Sequence, residues 1–186
     1  MAVILASKSP RRNELLRFIT EDFTVKVSDA DETIPDGTAP EDAVIMLAKI
    51  KGEAVYKENS EATIISADTV VVYDGKILGK PHSREDAFSM LSTLSGNTHT
   101  VYTGVFIISG DKKIGFSERT DVTFCELSQD DINNYISTGE PFDKAGAYGI
   151  QGKGSVMIKG IVGDYYNVMG LPVAKLNSVL KENGLL

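Results

Sequence analysis

Thr63-Ile64-Ile65-Ser66-Ala67-Asp68-Thr69-Val70-Val71-Val72-Tyr73-Asp74-Gly75-Lys76-Ile77-Leu78 is the stretch that decides the fold class. Residues 63–72 are dominated by β-branched side chains, which suit a buried strand. Asp74-Gly75 then offers the backbone freedom of a two-residue hairpin turn, followed by a short strand at Lys76–Leu78. A hairpin pairs its strands antiparallel, so the sheet containing it is not wholly parallel. Asp68 is the anomaly, a carboxylate between two β-branched runs. Asp-Thr followed by three valines is poor turn chemistry, although a turn-forming aspartate is the bland alternative. The pattern predicts that the strand ends or bulges at Asp68, and strand ends are where α/β folds place catalytic acids.

Outward from this stretch, strands and helices interleave. Val3–Ala6 reads as a short buried strand, and Ser9 then caps a helix with Pro10 at its first position and Leu15, Leu16 and Ile19 on its apolar face. Residues 23–27 alternate like a strand. Thr38-Ala39-Pro40 opens a long helix whose stripe of Val44, Leu47, Ala48, Ala54 and Val55 also contains Lys51. Ser83 caps a further helix, which Gly96 stops. Strands are expected at 100–108 and 120–126, separated by a Gly110-Asp111 turn and a short apolar stretch. Ser128 with Asp131 opens another helix that Gly139 ends, a glycine-rich segment occupies 146–154, a strand lies near 156–161, and a helix at 171–183 closes the chain. The expected class is α/β, a mixed twisted sheet with flanking helices. No repeat, low-complexity tract or linker divides the chain, so residues 1–186 read as a single domain.

Composition narrows the function. The 186 residues carry 19 Lys plus Arg against 26 Asp plus Glu, a formal net charge of −7. An acidic chain with no Trp argues against a general nucleic-acid or membrane-surface binder. Cys125 stands alone, which excludes an intrachain disulfide and suits a reducing compartment, and His82 and His99 leave no Cys/His zinc spacing. No apolar run reaches the ~18 residues of a membrane span. A cytoplasmic location is expected.

Several residues fit structure alone poorly. Arg11 and Arg12 sit in the first turn of a helix, where cations oppose the dipole unless an anion binds there. Lys51 within an apolar stripe must snorkel or meet an anion. Lys80 in Leu78-Gly79-Lys80-Pro81 imitates a phosphate loop, but the Walker spacing fails. Gly146, Gly149 and Gly152 let backbone approach a ligand, and Gln151 offers both donor and acceptor to a base edge. The candidate acids are Glu32, Asp68, Asp143 and Asp164. Cations with carboxylates in an acidic chain suggest a polyphosphate held with Mg²⁺ or Mn²⁺. A Ser-His-Asp set and a nucleophile elbow are both missing.

The motifs ILASKSPRRNELL (4–16), SADTVV (66–71), LGKP (78–81), DKAGAYGIQG (143–152) and GDYYNVMGLP (163–172) strongly resemble the Maf family of nucleoside triphosphate pyrophosphatases, in family order and over almost the whole chain. The resemblance implies an inosine-triphosphatase-like fold with two lobes around a central cleft, a divalent cation, a cytoplasmic homodimer, and hydrolysis of a nucleoside triphosphate to monophosphate and pyrophosphate. It places the proton acceptor at Asp68 and substrate specificity at Arg11, Thr69 and Gln151. Ser7, Arg12, Glu32, Lys51 and Lys80 match further polar positions around that cleft. SPRR, ADT and IQG look like the subfamily acting on dTTP and UTP rather than the one preferring 7-methyl-GTP. Joining both readings, Arg11, Arg12, Lys51 and Lys80 neutralise phosphates, Glu32 and Asp68 hold the metal, and Asp68 deprotonates the attacking water. The implied role is house-cleaning of the nucleotide pool. Two readings compete: a non-catalytic nucleotide-binding regulator of septum formation, which does not need Asp68 placed for chemistry, and a pyrophosphatase for other modified nucleotides such as 7-methyl-GTP, which Arg11, Thr69 and Gln151 disfavour.

Overall fold

Strand β1 (Val3–Ala6), nearly all buried, is short because Ser7 and Pro10 interrupt it and start helix α1 (Pro10–Leu16). In this computed structural model, which describes residues 2–27 and 29–186, β1 pairs in parallel with β2 (Phe23–Lys26) and with β3 (Thr63–Tyr73). Val3 stands opposite both Phe23 and Thr63. Helix α2 (Pro40–Tyr56) makes the crossover from β2 to β3. The Asp74-Gly75 turn, with φ of 49° and 71°, returns the chain into β4 (Lys76–Leu78), antiparallel to β3 with Val71 opposite Leu78. Helix α3 (Arg84–Leu94), strands β5 (Thr98–Ser109) and β6 (Lys112–Phe124), helix α4 (Gln129–Ser137), strand β7 (Ile158–Val162) and helices α5 (Tyr165–Met169) and α6 (Val173–Glu182) complete the chain. The sheet runs β2-β1-β3-β5-β6-β7, with β4 attached to β3 and β7 antiparallel to β6. It is a mixed sheet flanked by helices.

Two strand expectations need correction. Strand β3 continues unbroken through Asp68 for 11 residues, so the carboxylate sits in mid-strand rather than at an end or bulge. Backbone pairing is indifferent to a polar side chain that keeps partial access to water on one face. Strand β6 begins at Lys112, not near residue 120, because the Gly110 turn (φ 56°) makes the whole 112–119 stretch the return arm of a hairpin. The glycine-rich segment is wound into short 3₁₀ turns at Ala145–Ala147 and Gly152–Met157, preceded by one at Glu140–Asp143.

The chain divides into two compact units. The first gathers the N-terminal segment through Thr69, Thr103–Glu118 and Gly170–Leu186. Its core includes Ile4, Ala6, Ala48, Val55, Ile64, Phe106 and Ile108. Helix α2 approaches the strands closely because its buried face is small. A Cβ on Gly52 would lie 2.6 Å from Ser66 Oγ, and one on Gly104 would lie 2.3 Å from the Val44 carbonyl carbon. The buried stripe is therefore Val44, Ala48, Gly52 and Val55, with Lys51 at its flank rather than inside it.

The second unit comprises Val70–Tyr102 and Arg119–Met169. Its core joins Val71, Ala87, Leu91, Leu94, Phe124, Ile132 and Tyr148. His99, Phe124 and Tyr148 meet edge to face with ring centroids 4.7–5.2 Å apart. Helix α4 starts with a reciprocal box between Ser128 and Asp131, as the sequence suggests. Among the described residues no helix is long and apolar enough to cross a membrane.

Candidate active site

Within the first unit, Ser66 and Asp68 share one face of β3, because alternate residues of a strand point the same way. Ser66 Oγ donates to the Ala48 carbonyl at 2.7 Å, and Gly52 leaves room for that contact. This seats α2 so that Lys51, one residue before Gly52, reaches the face carrying Asp68. Lys51 Nζ is hydrogen-bonded and ion-paired to Asp68 Oδ1 and lies 3.0 Å from Glu32 Oε2. The Lys51 and Asp68 side chains are 19% and 16% exposed, whereas Glu32, in the loop before α2, is 48% exposed. Of the two alternatives for Lys51, snorkelling or meeting an anion, the structure has the second, with two carboxylates. Such a group can present a water-accessible carboxylate of fixed orientation beside a cation.

The opposite face of β3 carries Thr69, where Arg12 is anchored. Arg12 Nε donates to the Gly170 carbonyl at 2.7 Å, Nη2 to Thr69 Oγ1 at 2.9 Å and Nη1 to Ser7 Oγ at 3.3 Å. Thr69 Oγ1 is in turn 2.9 Å from Thr103 Oγ1. Burial pulls the Arg12 pKa below the ordinary arginine value, and Asp68 opposes that shift. The guanidinium fork thus ties α1, β3 and the turn before α6 together. Gly170 takes φ 112° where that turn passes the guanidinium, a backbone conformation that a side chain would strain. Ser7, itself buried, also accepts the Ser9 amide at 3.2 Å. Arg11, at the second position of α1, is partly buried.

Lys80 and Gln151 belong to the second unit. Lys80 is exposed just after β4, and its neighbour Gly79 accepts the Gly146 amide at 3.0 Å, which brings LGKP against the glycine segment. Gly146 (φ 68°) has no room for a side chain, because Val71 would stand 3.0 Å from its Cβ. Gln151 is half-buried and leads into the turn at Gly152–Met157. Asp143 is exposed and pairs with Lys144 at 2.6 Å. Asp164 Oδ1 accepts the Tyr166 amide at 2.8 Å, a local turn contact. Glu32 and Asp68 share one cation, Lys51, in the first unit.

Sequence reasoning missed Thr103 and Gly52, which seat known candidates, and Tyr135 and Glu140, which anchor the glycine segment. Glu140 follows a helix stop in Thr138-Gly139-Glu140-Pro141 and reads as a solvated loop residue. Only its non-local partners reveal it.

Glu32 and Asp68 supply oxygen donors converging on one positive point, a donor set that suits a hard divalent cation. Among the described residues no group of three or more His, Cys, Asp or Glu side chains could hold an ion alone.

Comparison with known proteins agrees with this architecture. A family model described as Maf-like protein matches residues 2–183. Proteins named dTTP/UTP pyrophosphatase from Bacillus cereus (strain ATCC 14579) and Bacillus anthracis are each 51% identical over 180 residues, covering 97% of this chain and 94% of their own length. The Ham1 protein of Staphylococcus aureus shares the fold with a TM-score of 0.56 at 16% identity, covering 98% of this chain and 100% of that one. A HAM1 protein from Coxiella burnetii gives a TM-score of 0.52 at 11% identity, over 98% and 99%. With its mixed sheet, its motifs in order and relatives matching it almost end to end, the chain belongs to the Maf family.

Proposed function

We propose that this protein hydrolyses nucleoside triphosphates, dTTP and UTP foremost, to the nucleoside monophosphate and pyrophosphate. The observation that carries the reading is the partly buried Asp68, in the middle of a buried strand and oriented by Lys51. A carboxylate so placed has no packing role, and the pattern is interrupted at a functional position. The names of the Bacillus relatives support the substrate class.

In this reading Asp68 accepts a proton from a water that attacks the α-phosphorus in line, and pyrophosphate leaves. Lys51 holds the Asp68 carboxylate in one orientation and adds positive charge, while Lys80 and Arg11 bind phosphate oxygens. Glu32 and Asp68 are the residues that would hold Mg²⁺ or Mn²⁺. The ion, when bound, supplies Lewis-acid polarisation of phosphoryl oxygens. Arg12 and Ser7 shape the substrate site chiefly by fixing Thr69, and Thr69 and Gln151 select the pyrimidine. We read the chain as one functional domain working as a cytoplasmic homodimer.

The test is pyrophosphate release from a panel of nucleoside triphosphates with Mg²⁺ or Mn²⁺, run beside Asp68→Asn. Release from dTTP and UTP, reduced about 10²- to 10⁴-fold in a folded Asp68→Asn protein, is expected for loss of a general base. Full turnover in that variant overturns the assignment of Asp68. Tight nucleotide binding with no release from the unmodified protein would make it a nucleotide-binding regulator.

A further inference from the structure

Gln151 lies in a segment whose backbone would otherwise be free to move. The amides on either side of it are tied to one pair of side chains. Gly149 N–H donates to Tyr135 Oη at 3.1 Å. Lys153 N–H donates to Glu140 Oε2 at 3.1 Å, and Gly154 N–H to Glu140 Oε1 at 3.3 Å. Tyr135 Oη itself donates to Glu140 Oε1 at 3.1 Å, which closes the network. Burial pushes the Tyr135 hydroxyl pKa upward, in keeping with a protonated donor.

The glycines fit this anchor. Gly152 adopts φ 69°, and a Cβ there would lie 2.9 Å from Glu140 Oε2. A Cβ on Gly154 would lie 2.3 Å from the Gly149 carbonyl oxygen and 2.9 Å from Tyr135 Oη. Lys144 braces the same turn, donating through Nζ to the Glu140 carbonyl at 2.7 Å. Side chains at 152 and 154 would push the carboxylate and the phenol away from the amides they accept.

We propose that Glu140 and Tyr135 are positioning residues for substrate selection, acting by pinning the backbone on both sides of Gln151. The proposal rests on the assignment of Gln151 to pyrimidine recognition. A carboxylate suits the task because it accepts on both oxygens at once, whereas an amide of the same shape turns an NH₂ toward a backbone N–H. Selectivity between nucleotides depends on differential binding in the reacting complex, so a loosened recognition side chain costs discrimination more than turnover.

The experiment compares kcat/KM for dTTP and dATP in the unmodified protein, Glu140→Gln, Tyr135→Phe, Gln151→Ala and Glu140→Gln/Gln151→Ala, with folding checked by thermal unfolding. The expected result is a dTTP-over-dATP ratio reduced about tenfold in Glu140→Gln, mostly through KM for dTTP, with no further loss in the double variant. Backbone amide exchange at Lys153 and Gly154 should accelerate in Glu140→Gln while β1 and β3 stay protected. If Gln151→Ala lowers the ratio and a folded Glu140→Gln does not, this proposal fails and the assignment of Gln151 stands. Additive losses in the double variant also overturn it, because Glu140 would then act elsewhere. An unchanged ratio in Gln151→Ala overturns the assignment of Gln151 and this proposal with it. Should Glu140→Gln not fold, Tyr135→Phe, which removes the acceptor of the Gly149 amide and the donor to Glu140 Oε1 but leaves the carboxylate on Lys153 and Gly154, carries the same comparison.

Discussion

At the scale of single residues, Arg12 of SPRR is set by the shape of its guanidinium. Arg12 spends its fork on Gly170, Thr69 and Ser7, three acceptors spread over a planar donor set. Lysine cannot reproduce that fork, since its ammonium is a point donor. Arg12→Lys should therefore lower stability by about 1–3 kcal/mol, as expected when buried acceptors lose their donors. A thermal or urea unfolding comparison checks this. Unchanged stability with weaker nucleotide binding would instead make Arg12 a phosphate ligand. That Arg12 and Lys51 were unusual was legible in the sequence, because cations at a helix start and on an apolar stripe both break a rule. Their partners were not legible, because Gly170 is 158 residues from Arg12 in the chain.

At the scale of elements, the contact between α2 and the sheet decides whether Lys51 reaches Asp68. Gly104→Ala would place a methyl 2.3 Å from the Val44 carbonyl carbon and 2.5 Å from the Ile45 amide nitrogen, backbone atoms that move only with the whole helix. We expect a loss of about 3 kcal/mol or more from overpacking, with activity falling as α2 is displaced. Gly110→Ala is the control. It strains a turn at φ 56° but meets nothing within 4 Å, so its cost should stay near 1 kcal/mol. Urea midpoints of the two variants read the difference. Helix α4 offers a smaller test, since Ser128→Ala removes the box with Asp131 and should cost about 1 kcal/mol. The start of α4 was readable from Ser128 and Asp131 alone. The mid-strand position of Asp68 was not, because a polar residue in a β-branched run looks the same at a strand end as in its middle.

At the scale of the whole molecule, one buried group sets a pH dependence. His99, 2% exposed, hydrogen-bonds Tyr148 Oη at 2.7 Å. Burial lowers its pKa to about 4, with Asp121 opposing. The unfolded chain takes up the proton near pH 6.5 and the folded one only near pH 4, so stability is full above about 6.5 and is lost as pH falls toward 4. The loss attributable to this ring reaches about 3 kcal/mol at the acid end. His99→Gln, which cannot titrate, should flatten the fall between those pH values. Chemical unfolding at pH 7.5 and pH 4.5 in both proteins measures it, and parallel curves would remove His99 as the cause.

The sequence by itself determined the α/β class, the hairpin after Tyr73, the caps at Ser9, Ser83 and Ser128, and the residue types of the candidate site. Each of these rests on local chemistry: branched side chains, a turn pair, a hydroxyl before a helix. Tertiary structure alone decided which carboxylates meet Lys51, that Arg12 is held by Gly170, Thr69 and Ser7, and that Glu140 and Tyr135 anchor the segment around Gln151. These depend on side chains brought together across the chain by packing at Gly52, Gly104 and Gly170. A glycine advertises freedom of backbone in a sequence, but the neighbour it makes room for exists only once the chain has folded.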